Sequence, residues 1–245
     1  MKSILFASRN QKEIIRDPIN LAFGIGFPLV VLLLLSAIQS NIPVSLFEID
    51  QLVPGVAVFG LSFISLFSGM LIAKDRDSSF LLRLFASPLS SSDFILGYTL
   101  PLIPIAVLQS GFCFLVSFLL GLQANLNVLL ALLVLMPAAL FFIAFGLLTG
   151  SIFTDKQVGG ISGALLTNLS AWLSGTWFDL NLVGGTFKKI ADLLPFVHAV
   201  NAARAAVAGK VDLIFPDLWW VIAYALVLLA AAVVVFKRKM NSNQG

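Results

Sequence analysis

Charge is scarce in this chain. Asp, Glu, Lys and Arg together supply 11% of its 245 residues, where a soluble domain carries about 25%. That is too little polar side chain to cover a water-facing surface. Cysteine and histidine are scarcer still, at one each, Cys113 and His198. A lone cysteine inside an apolar block forms no intrachain disulfide, and a zinc site, which needs several histidines, cysteines or carboxylates close together, is not expected. A Ser-His hydrolase would have to depend on His198, and no Gly-x-Ser-x-Gly elbow accompanies it. The Gly-x-x-x-x-Gly-Lys-Ser/Thr loop that cradles phosphates is also missing, so ATP hydrolysis by that route is not expected of this chain. The aspartates at 75, 77, 93 and 155 fall between apolar blocks rather than inside them, which leaves an intramembrane aspartyl protease without its pair.

What is present is apolar: 59% hydrophobic residues and a mean hydropathy of +1.02. They run in blocks of about 20 residues, long enough as helices to cross a hydrocarbon core of about 30 Å. The expected spans are 19–38, 53–73, 95–119, 128–153, 158–178 and 217–236. The chain therefore reads as an all-α polytopic membrane protein with six transmembrane helices, a single domain over 1–245. No cleavable signal peptide is expected, because the first 17 residues are mixed and charged and the block after them is long enough to remain in the membrane. Region 179–216 is too polar in its first half to span. Its second half, opened by Pro195 and closed by Gly209, reads as a short re-entrant or interfacial helix carrying His198, Asn201 and Arg204.

Placing the N-terminus in the cytoplasm puts Lys2, Arg9, Lys12, Arg16, Lys74, Arg76, Arg83, Lys156, Lys237, Arg238 and Lys239 inside, eleven of the 15 basic residues. The positive-inside rule thus favours a multi-pass protein of the cell membrane with both termini cytoplasmic. Basic residues confined to such short segments serve topology, and no nucleic-acid surface is expected. On a helical projection of residues 1–17, Lys2, Arg9, Lys12 and Arg16 share one arc, and Ile4, Ala7, Ile14 and Ile15 lie roughly opposite. Such a helix lies along the membrane face with its cations near anionic lipid; a disordered tail is the alternative.

The span cores carry almost no charge, which argues against an ion-coupled carrier or proton relay. Two faces of small and polar residues stand out instead: Ser62, Ser65 and Gly69 on the second span, and Gly163, Thr167, Ser170 and Ser174 with Asn168 on the fifth. They read either as close helix packing or as a translocation path or dimer face. The stripe Phe59, Phe63, Phe67 reads as lipid-facing or packing surface, and Trp219 and Trp220 as an interfacial aromatic belt. The strongest local signal is the loop 74–94. Its charged cluster Asp75, Arg76, Asp77 precedes an amphipathic turn with Phe80, Leu81, Leu84 and Phe85, then Ser87-Pro88 and a serine-rich cap. Apolar residues in a cytoplasmic loop want a partner surface; a helix lying among lipid headgroups is the other reading.

That loop resembles the first cytoplasmic loop of the permeases of type 2 ABC exporters, the multidrug, antibiotic and polysaccharide class, whose outline is approximately Glu-Arg-Glu-x-Gly-Thr-Leu-x-x-Leu-x-x-Thr-Pro-Leu-Ser. Asp75-Arg76-Asp77-Ser78-Ser79-Phe80-Leu81 through Ser87-Pro88-Leu89-Ser90 follows it, departing where Ser79 and Phe80 replace Gly-Thr. Leu173-Ser174-Gly175-Thr176-Trp177-Phe178, Leu193-Leu194-Pro195 and Arg204 are similar to the family's outer loop between spans five and six. Asp179 and Gly184-Gly185 replace its proline and Pro-Gly. The resemblance implies an N-terminal connecting helix, six spans and short re-entrant helices. It also implies a dimer, homomeric or heteromeric, coupled to a separate ATP-binding subunit that binds ATP and Mg; no cofactor is expected on this chain. It makes Asp75, Arg76, Asp77, Phe80, Leu81, Leu84, Phe85 and Pro88 the coupling element for that subunit. A facilitative or ion-coupled carrier and a non-transporting membrane anchor remain the other functional readings.

Overall fold

The computed structural model describes residues 2–78, 80 and 89–242. All regular structure among them is helical, with no strand. The helices are α1 (Lys2–Ile15), α2 (Pro18–Gln39), α3 (Ile49–Asp77), α4 (Ser91–Thr99), α5 (Leu102–Leu119) and α6 (Asn127–Ile152). A short α7 (Asp155–Val158) runs through a π-helix (Gly159–Leu166) into α8 (Thr167–Leu173). Then come α9 (Leu180–Val183), α10 (Gly185–Leu193), α11 (Pro195–Val207), a 3-10 turn (Val211–Leu213) and α12 (Ile214–Ser242). This is an all-α polytopic membrane protein, as the composition requires.

Among the described residues, five helical stretches are long and apolar enough to cross a membrane: α2, α3, α4 with α5 (Ser92–Leu119), α6, and Val211–Arg238 ending in α12. The expected span over 158–178 takes a different form. Helical backbone runs unbroken from 155 to 173, about 28 Å at the α-helical rise, but its middle is π-helical, and 174–178 turn away. Three glycines in Gly159-Gly160-Ile161-Ser162-Gly163 lower the cost of the wider turn, and such bulges are frequent at functional sites. Region 179–216 forms a hairpin of α10 and α11, bent by 76° at Leu194-Pro195. Proline has no N–H to continue the first helix and fits the first turn of the second. Gly209 at φ +70° ends α11 in the left-handed conformation that glycine adopts without steric cost.

The core is the pair α3 and α6, with α11 and α12 packed on α6. Most of α3 is buried (83% of its most apolar stretch), against 17% for α2 and for α12. The peripheral helices therefore present their apolar sides outward, as lipid requires. Small residues let the central backbones touch: a Cβ on Gly150 would collide with the backbone of Gly69, and one on Gly146 with the Ser65 carbonyl. In lipid, where apolar burial supplies little drive between helices, such close van der Waals contact carries the association.

Candidate functional site

The loop expected to do the coupling leaves the membrane at the end of α3, and four elements converge there. Helix α1 lies across α4. Its Phe6 packs edge-on against Phe94 and Tyr98, at 5.9 and 4.9 Å between ring centres, and both rings rest on Phe236 of α12. Gly97 makes room, since a Cβ there would strike the Phe6 ring. The buried Asn10 donates to the Gly97 carbonyl at 3.0 Å. The face of α1 that packs on the protein is thus Phe6, Ala7, Asn10 and Ile14, while Ile4, Leu5 and Ile15 are exposed. This corrects the single apolar arc of the projection: Ile4 and Ile15 do not share the packed face, and Phe6, which is not among the residues of that arc, anchors the helix.

Asp75, on the last turn of α3, is 3% exposed. Its carboxylate accepts two hydrogen bonds from the Arg9 guanidinium, at 2.6 and 2.8 Å, and a third from the Tyr98 hydroxyl at 2.9 Å. A bidentate, charge-assisted pair of this kind fixes orientation as well as distance. The Arg9 guanidinium also lies 4.4 Å from the centre of the Phe80 ring, just past α3. Arg76 turns the other way and donates to the Ser151 and Phe153 carbonyls at 3.0 and 2.5 Å. Those are among the carbonyls that the end of α6 leaves without helical partners. Asp17 caps α2 by accepting from the Asn20 amide, and Lys74 stands 3.5 Å from it. Slight burial opposes the Asp17 charge, but the Asn20 bonds and Lys74 outweigh it and hold the carboxyl below its ordinary value. Ser90 opens α4 with a reciprocal capping box to Asp93, as the serine-rich cap predicts.

The charged cluster is therefore divided. Asp75 and Arg76 are engaged inside the protein, and of the three charges expected to face a partner only Asp77 presents a mostly exposed side chain (57%). Phe80 is half-buried under Arg9. Leu81, Leu84, Phe85 and Pro88 lie outside the described residues. Sequence reasoning missed Arg9, Asn10 and Tyr98 as part of this site. The i, i+4, i+8 spacing of Phe6, Asn10 and Ile14 was the available signal for the docked face.

The small polar faces meet within one chain. Ser62 donates to the Phe59 carbonyl and to the Thr167 hydroxyl at 3.3 Å, and Thr167 to the Ser162 carbonyl. Ser62, Ser65, Thr167, Ser170 and Ser174 are all buried, and Gly163 faces Leu66 of α3. Ser62, Gly163 and Thr167 thus form a seam between α3 and the helical run 159–173, and Ser174 is paired to Thr176 just beyond it. Asn168 alone is exposed, its side-chain amide turned back to the Ala164 carbonyl. Phe59 and Phe67 are packing residues, buried against Trp177 and beneath Gly24 respectively. Trp219 and Trp220 are exposed near the start of α12.

At the opposite end of α3 a cleft of about 600 Å³ opens beneath the hairpin, lined by Gln51, Trp177, Asp179, Lys188, Asn201 and Arg204 among others. Arg204 donates to the Gln51 carbonyl at 3.0 Å and the Gly175 carbonyl at 2.9 Å, tying α11 to the first turn of α3.

Compared with known protein families, residues 3–207 match the model described as ABC-2 type transporter, its membrane component. No curated protein matches the chain.

Proposed function

The chain belongs to the ABC-2 type transporter family, and from that premise we propose that it is the permease of an ATP-driven exporter. Its membership makes it a membrane-spanning transporter component rather than an enzyme in itself. In the proposed complex, two permeases, identical or paired with a second kind, stand in the cell membrane with both termini in the cytoplasm. Each engages a separate subunit that binds ATP and Mg. The cargo is an amphiphile such as a drug, antibiotic, lipid or glycan.

One observation carries the coupling part of this reading: the base of the loop is held rigidly inside the fold. Asp75 is clamped by Arg9 and Tyr98, and Arg76 is bonded to the end of α6. A push on the loop is therefore delivered to α1, α3 and α6 together. In this reading Asp77, Leu81, Leu84, Phe85 and Pro88, with Phe80 beside Arg9, make the docking surface, and Asp77 is its exposed charge. Closure of the ATP-binding subunits moves this surface, and the rigid base converts the movement into a shift between inward and outward openings. The seam of Ser62, Ser65, Thr167 and Ser170 parts or slides in that shift, with Asn168 facing the partner permease or the cargo.

The test is co-purification of the full chain with its nucleotide-binding subunit, comparing wild type with Asp77→Lys combined with Leu84→Asp. The expected result is loss of the bound subunit and of stimulated ATP hydrolysis, with membrane insertion and thermal stability unchanged. Intact complex formation and transport in that double variant would sink the docking surface.

A further inference from the structure

His198, the chain's single histidine, sits one turn into α11, immediately beyond the 76° bend. Its Nδ1 lies 2.5 Å from a carboxylate oxygen of Asp217 at the start of α12, and its Nε2 lies 2.8 Å from the backbone carbonyl of Asp192 in the last turn of α10. The ring stacks parallel on Trp220 of α12, 5.3 Å between centres with a 6° tilt. A carbonyl oxygen only accepts hydrogen bonds, and so does an ionised carboxylate. A neutral imidazole has one N–H and one lone pair, so it satisfies one of these partners and turns a lone pair on the other. A ring with both nitrogens protonated satisfies both and adds a cation over the indole face.

We propose that His198 is held as an imidazolium and works as a proton-dependent clamp, fastening the outer hairpin to the last span when protonated and releasing the end of α10 when neutral. The other groups at the junction agree with a positive ring. From α10, Asp192 adds a nearby carboxylate, partly offset by Lys188 at 2.7 Å. From α12, Asp217 adds a second, and Tyr224 donates to the adjacent Leu193 carbonyl at 2.7 Å, so that neutral contact persists in either state. On α11 itself the next cation, Arg204, is engaged with the Gln51 and Gly175 carbonyls instead. Burial works against the charge, but the Asp217 hydrogen bond, the Asp192 carbonyl and the two carboxylates outweigh it and raise the imidazole above its ordinary value. A group raised on folding stabilises fully below its unfolded value, ~6.5 for histidine, and loses that contribution as pH climbs through the folded value. The clamp is thus closed in mildly acidic surroundings and opens toward alkaline ones. Losing the Nε2 bond frees the Asp192 carbonyl, and α10 detaches first because Leu194-Pro195 provides no helical continuity.

A single histidine makes the test direct. The full chain in lipid nanodiscs, labelled with ¹⁵N at its histidine, gives one pair of ring signals through a titration from pH 5 to 9. The expected result is two protonated nitrogens at pH 7 and a midpoint above that of free imidazole, lowered in Asp217→Asn. A neutral ring at pH 7, or a midpoint that Asp217→Asn leaves in place, overturns the proposal. Hydrogen exchange in 185–194, corrected for the intrinsic rate, reads the mechanical consequence. It should quicken about tenfold across the same midpoint, the worth of one charge-assisted hydrogen bond, and lose its pH step in His198→Phe, which keeps the stacking alone. A pH step surviving in His198→Phe also overturns it. Only the consequence for transport rests on the proposed function. Transport that fails while the titration behaves as stated faults that reading and leaves the clamp standing.

Discussion

Replacing Asp75 by asparagine removes one charge and keeps the shape, so it isolates what the carboxylate does. In the native fold that carboxylate accepts three hydrogen bonds, two from a guanidinium. Stripping one member from a fully buried ion pair costs about 3–5 kcal/mol, because the other is left charged and dry. Arg9 is not fully buried: its side chain is 35% exposed against 5% for Asp75. It therefore turns toward water when its partner goes, and the expected cost falls to about 2 kcal/mol. For a chain of this length that lowers the melting temperature by about 4–8 °C. The loss is local before it is global, since α1 is held by this pair, Asn10 and Phe6. Protease cleavage within 2–16 should rise by roughly an order of magnitude while the α3–α6 core keeps its protection. Tyr98→Phe, which removes a single hydroxyl donor, should cost about 1 kcal/mol. Arg9→Ala combined with Asp75→Asn should cost clearly less than the two separate losses added together. An Asp75→Asn protein that melts within 1 °C of wild type and resists protease at its N-terminus would refute the reasoning.

Three further outcomes follow from the packing. Gly150→Val should destabilise by roughly 3 kcal/mol or more through collision with the backbone at Gly69, seen as a lower melting temperature in detergent; Gly111→Ala, which meets nothing within 4 Å, is the control that should lose no stability. Gly160→Ala also meets nothing and should stabilise by about 0.4–1 kcal/mol by reducing unfolded-chain freedom. If it slows transport as well, the π-helical stretch works as a moving part. Arg204→Gln should free the end of α11, giving faster labelling of a cysteine placed at Asn201 with little change at α1.

Hydropathy made the long helices legible, because a stretch such as 128–153 admits no other use in water or lipid. The prolyl start and glycyl end of α11 were legible for a similar reason: Pro195 and Gly209 act through backbone geometry alone. The division of the charged cluster was not legible. Asp75 and Asp77 are chemically equal in the chain, and only the arrival of Arg9, 66 residues away, commits one and leaves the other. The arc of α1 failed for the opposite reason. Counting apolar residues assumes one apolar environment, whereas this helix meets protein through Phe6 and Ile14 and offers Ile4 and Ile15 elsewhere. The small polar residues of the second and fifth spans left two readings open, since serine serves packing and passage alike. Their burial along one seam emerges only when α3 and the π-helical stretch are laid side by side.

Where α3 meets α6 at Gly69, Gly146 and Gly150, no layer of side chains separates the two backbones. Side chains are the compliant part of a helix interface: they rotate, and one helix creeps past another by small rearrangements. Bare backbone offers no such give, so this crossing behaves as a fixed pivot, and displacement near it becomes rotation about it. Movement imposed beside Asp75 therefore reappears with opposite sense at Gln51, the far end of the same helix, where Arg204 is attached.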